Sequence, residues 1–446
     1  MLLVGWHFAG VAGDQPVRSV VAYADYLRGA KSLRVGLVRS SQSAWLRMDS
    51  PAAIIAAGAS EAGPARVAGG EAVQFGRSGD AVVASRGGGE VIAQGPRLLI
   101  SSDNPAATAA VGASPAVSGR YAGSFEVIPG ASGVGLVNVI DLERYVLGVL
   151  PGEMPETFQP EALRAQAILA RTYALYHLGA HASEGFDLCA DVDCQVYRGG
   201  GEDRPKSAAA VRTTAGQVLT YHGILADAVY HSTCGGATAA GWEVWEGAAL
   251  PYLVGGVDGP DDRDLSTDAA VRAFLQEHST SYCRDSQKYR WQQQYTLADA
   301  ARLVKANLGT VIERPGLDPG DLRDLAVTER APHGRVQTLQ VITSTGAFTV
   351  HRDSIRWLFG TGRAGRQGLP STLFALDVTR DQEGRATAFV FNGAGWGHGL
   401  GLCQWGADGR AKAGATAEQL LATYYPGTEI YSPKQTDRPV VDMGRQ

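Results

Sequence analysis

Between Pro160 and Leu178 the chain offers a helix almost no polar face. Ala162, Leu163, Ala165, Ala167, Ile168, Leu169, Ala170, Ala174, Leu175 and Leu178 cover nearly the whole circumference. A helix that is apolar all round is stable only when other elements enclose it, so this segment marks the middle of a core. Its many alanines let neighbouring backbone come close. Pro160 suits the first helical position, where a missing N–H costs nothing. Glu161 complements the positive helix start. Arg164 and Arg171 are seven apart and share a face. Buried arginines need acceptors. The pair are therefore either structural ion-pair partners or donors to a bound carboxylate or substrate oxygen.

A chain of 446 residues, 45% hydrophobic, can bury such a helix in one large domain and still form a smaller one. Charged residues make up 19% and the net charge is −5, which gives no reason to propose nucleic acid or an anionic membrane as partner. The 57 glycines fall in clusters without a fixed period, which excludes collagen-like and low-complexity classes. There is no internal repeat of solenoid or propeller size. No run of about 18 apolar residues exists, so no spanning helix is expected. Met1-Leu2-Leu3-Val4-Gly5-Trp6 is apolar but short and lacks a basic leading segment. It is a poor secretion signal, and a true start upstream of this chain's first residue is the expectation.

The pattern predicts an α+β fold. Residues 1–30 are weakly patterned. Residues 31–115 read as a small β-rich N-terminal domain, with strands such as Leu33–Val38, Ala81–Ser85 and Arg97–Ile100. Gly87-Gly88-Gly89 reads as a turn rather than a phosphate loop, because no helix start follows it. Residues 116–430 form the main domain, built around the buried helix and mixed strands, and 431–446 a tail. Gly135–Ile140 is a strand leading to a short helix with Asp141 as N-cap. Helices are expected after Pro205, over 297–308 and over 417–424.

Three segments are candidates to converge on one cleft. The first is Leu150-Pro151-Gly152-Glu153-Met154-Pro155, where Glu153 stands in a turn backed by the buried helix and is placed to act as a general acid. The second is Tyr230-His231-Ser232-Thr233-Cys234-Gly235-Gly236. Adjacent His and Ser on a strand point to opposite faces, so they form no hydrolase triad. Tyr230, His231 and Ser232 are better read as hydrogen-bonding residues lining a cleft. The third is Gly393-Ala394-Gly395-Trp396-Gly397-His398-Gly399-Leu400-Gly401 with Gln404-Trp405-Gly406. His398 between glycines sits where backbone can approach a ligand, or is a structural histidine bonded to backbone. Gln404 and Trp405 suit binding and stacking on a sugar, with Trp405 as core the alternative. Glu156 reads as a solvated loop residue or a second carboxylate.

Taken in order, Glu153-Met154-Pro155, Glu161–Ala167, Ala170–Ala174, Gln195-Val196-Tyr197-Arg198-Gly199, Tyr230-His231-Ser232, Gly235-Gly236, Pro251-Tyr252-Leu253, Gly397–Gly401, Gln404–Ala407 and Tyr424–Thr428 resemble the stage II sporulation protein D and amidase-enhancer family. The resemblance covers roughly residues 115–430. It implies an extracytoplasmic protein acting on bacterial peptidoglycan, either as a lytic transglycosylase on glycan strands lacking stem peptides or as an enhancer of a cell-wall amidase. The family's acidic residue maps onto Glu153, and its basic helix positions map onto Arg164 and Arg171. Glycoside cleavage through an oxocarbenium-like transition state needs an acid for the leaving oxygen, and a hydrolase needs a second carboxylate. A lytic transglycosylase uses the sugar's own 6-hydroxyl instead, so one carboxyl, kept protonated by partial burial, serves as acid and then base.

The resemblance requires no cofactor, with zinc as an alternative at one place. Cys189 and Cys194 have C-x4-C spacing, with His181 eight residues earlier. Some relatives carry a histidine just before the second cysteine, where this chain has Asp193. A Cys189–Cys194 disulfide and a zinc site of His181, Cys189, Asp193 and Cys194 both remain open. A zinc-dependent wall hydrolase is a further alternative, weakened by the absence of any His-Glu-x-x-His stretch. Five cysteines cannot all pair in one monomer. The next bridge expected is Cys234–Cys283 with Cys403 free, or else all three cluster with a histidine.

Overall fold

The structure, a computed structural model, describes residues 18–433 apart from 30, 59–62, 115, 260–262, 278–280 and 361–367. The chain divides into two compact units, Gly10–Ala228 with Glu429–Gln446, and Met1–Ala9 with Val229–Thr428. Both helices and strands are abundant, as an α+β pattern requires. No helix among the described residues is long and apolar enough to cross a membrane.

In the unit that contains residues 18–228, two antiparallel-rich sheets share one apolar cluster. The seven-stranded sheet includes Leu33–Ser41, Gly133–Ile140, Ser124–Gly130 and Leu98–Ser102, and the six-stranded sheet includes Ala44–Met48, Ala72–Ser78 and Ala81–Ser85. Period-2 alternation puts Leu46, Phe75, Val82, Ile100, Phe125 and Leu136 into that cluster. The strands continue well past the boundary read near residue 115, since Ser124–Gly130 pairs with Leu98–Ser102 and Gly133–Ile140 with Leu33–Ser41. The turn reading at Gly87–Gly89 holds, with Gly89 N–H donating to Arg86 O at 3.1 Å.

Four helices complete this unit. Helix α1, Val20–Arg28, lies in the stretch expected to be weakly structured. Its Tyr23 and Tyr26 are buried, so tertiary packing supplies what its pattern lacks. Helix α2, Leu142–Glu153, starts at Asp141, whose carboxylate accepts from Arg144 N–H at 3.0 Å. Helix α3, Pro160–Tyr176, carries Pro160 in its first turn and buries every residue from Leu163 to Leu175 except Arg164. It packs against α2 and against α4, Pro205–Thr213.

The Val229–Thr428 unit is built on two three-stranded antiparallel sheets, Arg290–Thr296/Ala386–Ala394/Phe374–Arg380 and Leu322–Arg330/Val336–Thr343/Ala347–His351. The helix Leu297–Val311 supplies Leu303, Val304 and Leu308 to the core they share with Phe359, Phe389 and Phe391. A two-residue parallel pairing, Tyr230 with Leu402 and His231 with Cys403, joins the second and third motif segments.

Candidate functional site

Glu153 owes its position to two glycines. Gly148 and Gly152 lie four apart and so on one face of α2. A Cβ on Gly148 would lie 2.5 Å from the Tyr197 ring, and one on Gly152 would lie 2.3 Å from Val196 O. With no side chain at either place, the Gln195–Gly199 segment rests directly on the helix. Arg198 N–H donates to Gly148 O at 3.0 Å. The buried Tyr197 hydroxyl donates to Asn138 Oδ1 at 2.7 Å. Buried Gln195 donates to the Tyr145 hydroxyl at 3.1 Å and to Ala170 O at 3.3 Å. Thus held, Val196 N–H donates to Glu153 Oε1 at 2.6 Å.

Glu153 is half-buried and is the last residue of α2, not a turn residue. The helix carries on past Pro151 and closes with Met154 N–H on Leu150 O at 2.9 Å. Gly152→Ala is expected to push the Val196 segment off the helix at a cost of about 1–3 kcal/mol, as overpacking does. Denaturant unfolding beside Gly76→Ala, whose Cβ would meet nothing within 4 Å, checks this.

Glu156 is not a solvated loop residue but a cap. Its carboxylate accepts from Lys206 N–H at 2.6 Å and from the Ser207 hydroxyl at 2.5 Å, closing the N-terminus of α4. Arg164 pairs with Glu161 at 3.0 Å along α3. Arg171 departs from the substrate-binding expectation. Its side chain is 0% exposed, and Nε and Nη2 grip both oxygens of Glu143 at 2.8 and 2.7 Å. Nη1 donates to Gln217 O at 2.9 Å and Ala167 O at 3.3 Å. Every guanidinium nitrogen is spent inside the protein, so Arg171 is a structural residue.

His181, Cys189 and Cys194 converge in the same unit, with donor atoms within 4.8 Å of one another. His181 Nε2 is 3.2 Å from Cys194 Sγ, and the two sulfurs are 2.9 Å apart with both thiols free. His181 Nδ1 contacts Glu184 at 2.7 Å, an outer carboxylate that sets the ring's orientation. Asp193 accepts from Arg39 at 3.0 Å and forms a second group with Cys189 and Asp191 rather than joining His181. The two-sulfur, one-nitrogen donor set is one that zinc favours.

In the Val229–Thr428 unit, alternation along the strand turns His231 inward while Tyr230 and Ser232 stay half-exposed. His231 is 4% exposed and its Nδ1 donates to Leu400 O at 3.0 Å. His398 Nε2 donates to Tyr230 O at 2.9 Å, while its Nδ1 accepts from Leu400 N–H at 3.0 Å. Burial, with Arg356 nearby, pushes its pKa down to about 3. Both histidines hold backbone together and are not cleft-lining donors. Gln404 is buried in the first turn of the helix Gln404–Lys412. Glu153 belongs to the other unit.

Two residues that the sequence analysis did not single out stand near these segments. Trp396 is 51% exposed and is paired through its backbone to Thr233, one residue from Ser232. Its signal was a tryptophan between two glycines. Arg335 is fully buried, with Nε and Nη1 making no hydrogen bond, and a Cβ on Gly399 would lie 1.9 Å from its Nη2. Nothing in its sequence surroundings marked it.

Residues 131–221, which include Glu153 and its seat, match the family model described as stage II sporulation protein. Residues 239–401 match a domain of unknown function, DUF8618. The chain is 30% identical over 298 residues to the amidase enhancer of Bacillus subtilis, an alignment that takes in 64% of this chain and 40% of that protein's length. It is 28% identical over 309 residues to the stage II sporulation protein D of the same organism, covering 66% of this chain and 75% of that one. An uncharacterised protein of Brachyspira hyodysenteriae is 28% identical over 312 residues, 70% of this chain and 72% of its own length. The matched domain and these relatives bear out the resemblance seen in the motifs: the chain carries a stage II sporulation protein domain over residues 131–221 and is similar over most of its length to proteins called stage II sporulation protein D and amidase enhancer.

Proposed function

We propose that this protein acts on the cell wall as a lytic transglycosylase, cleaving peptidoglycan glycan strands that lack stem peptides, with Glu153 as acid and then base. The reading rests on the seat of Glu153. A half-buried carboxyl is held through Oε1 by the Val196 N–H at 2.6 Å, on a helix end that two glycines and a buried tyrosine keep in place. In the acid form the anchored oxygen is the carbonyl and the proton sits on Oε2. That proton passes to the glycosidic oxygen as the bond from C1 to that oxygen breaks. The same sugar's 6-hydroxyl oxygen then bonds to C1, and its proton returns to the Glu153 carboxylate. The products are a 1,6-anhydro end and a new free hydroxyl, with no water consumed. Because Glu156 is spent capping α4, it supplies no second carboxylate for a hydrolytic route.

The substrate puts the site of action outside the cytoplasm, in periplasm or wall. Exposed Trp396, with half-exposed Tyr230 and Ser232 nearby in sequence or pairing, offers aromatic and hydroxyl groups to a sugar in the other unit. The cleavage step uses no cofactor. Zinc, where bound, would be held by His181, Cys189 and Cys194 and would tie down the loop that leads into the Gln195–Gly199 segment.

A second reading follows from the relative called an amidase enhancer. The chain would bind glycan and stimulate a cell-wall amidase without cutting. Mass spectrometry of peptide-free strands incubated with the protein separates the two. Anhydro-ended fragments support the transglycosylase. Intact strands that co-sediment with the protein support the enhancer, and fragments with reducing ends overturn the proposal in favour of a hydrolase.

A further inference from the structure

Cys234, Asp258, Cys283 and Cys403 come from four separate stretches of the Val229–Thr428 unit, and all four are buried. One donor atom from each lies within 4.8 Å of every other. Cys234 Sγ is 3.5 Å from Cys283 Sγ and 3.5 Å from Asp258 Oδ2. All three thiols are free, so the Cys234–Cys283 bridge is not present; the three cysteines do cluster, as the alternative expected, with His231 beside Cys234 and Asp258 completing the group. The sulfur separation is well beyond the about 2.05 Å of a disulfide.

Backbone N–H groups are aimed at two of these sulfurs. Cys403 Sγ accepts from Cys234 N–H at 3.1 Å and from Gly406 N–H at 3.2 Å, and Cys234 Sγ accepts from Gly236 N–H at 3.3 Å. Cys403 is also the N-cap of the helix Gln404–Lys412, whose positive end favours a thiolate. Asp258 is anchored through Oδ1 by Arg410 Nη2 at 2.7 Å, Arg410 Nε at 3.0 Å and the Tyr424 hydroxyl at 3.3 Å. Its Oδ2 is thereby directed at the sulfurs, the way outer partners orient a metal-binding carboxylate. Gly406 walls the cluster, since a Cβ there would lie 2.5 Å from Asp258 Oδ2 and 3.1 Å from Cys403 Sγ.

Three sulfurs and a carboxylate are buried together beside the single cation Arg410, and the thiolate forms that a metal requires are tolerated only when a further cation offsets their charge. We infer that Cys234, Asp258, Cys283 and Cys403 form a closed, four-coordinate site for a borderline-soft divalent cation, with zinc the best match to three sulfurs and one oxygen. Binding displaces the thiol protons to solvent and leaves no ligand position for substrate, so the ion is structural. It ties the segment just after the strand Tyr230–His231 to the helix that begins at Gln404. The site is separate from the group of His181, Cys189 and Cys194, which lies in the other unit.

The test uses the full chain carrying Cys189→Ser and Cys194→Ser, so that only this cluster offers thiolates. Cobalt(II) is titrated into reduced, metal-free protein. The expected result is one equivalent bound, with thiolate-to-cobalt charge-transfer absorption and the intense visible bands of tetrahedral cobalt, both abolished by zinc. Cys403→Ser and Gly406→Ala should each weaken cobalt binding by at least about tenfold. Should either variant misfold, the titration of the parent decides alone. Failure to bind cobalt overturns the inference. So does peptide mapping that finds Cys234 joined to Cys283 in protein purified without reductant and free of metal.

Discussion

Glu153→Gln should lower the production of anhydro-ended fragments by about 10²–10⁴-fold, the range that a positioned acid–base group contributes. The amide keeps an oxygen that can accept from Val196 N–H, now at 2.6 Å, so the Gln195–Gly199 segment should stay on α2 and the unfolding midpoint should hardly move. What is lost is the proton that the leaving oxygen needs and the carboxylate that takes one back. Glu156→Gln is the matched control. It should leave cleavage intact while costing about 1 kcal/mol, because its carboxylate serves the start of α4 through Lys206 and Ser207. Equal activity in wild type and Glu153→Gln would remove Glu153 from the reaction. Glycan binding that survives in both proteins without product would point to the enhancer.

Arg171→Met should destabilise the fold by about 3–5 kcal/mol, as breaking a buried ion pair does. Removing the guanidinium strands Glu143, which is 14% exposed and loses two charge-assisted hydrogen bonds at once. It also leaves Gln217 O without its donor from α3. Replacing both partners, as Arg171→Met with Glu143→Leu, should recover much of the loss, because a buried pair exchanged for packed apolar groups is often near neutral. Denaturant unfolding of the two single variants and the double variant measures the coupling directly. An arginine that bound substrate would behave in the opposite way, with activity falling and stability holding.

These two residues mark the line between what can be read locally and what cannot. Asp141 as a cap, Pro160 in the first turn of α3, the burial of that helix and the strand at Leu33–Val38 were all legible, because each depends on residues within a turn or two of chain. The order of motifs was legible too, and it was enough to see the resemblance that the matched domain bears out. Partners were not. Arg171 meets Glu143 from 28 positions away and Gln217 from 46, and nothing in the spacing of either says that they pair. Glu156 looked free until α4 folded over it. His398 looked available until the pairing of Tyr230 with Leu402 brought a carbonyl to one of its nitrogens.

By itself, then, the sequence determined most of the main domain's helices and strands and which helix is enclosed, but not helix α1. Those follow from side-chain periodicity and from short-range capping. Only the tertiary structure decided which buried polar groups are spent on one another and that Asp258 joins the cluster of three cysteines. Hydrogen bonds and charges select partners by distance in space, and at separations of dozens to hundreds of residues the local pattern carries no record of that distance.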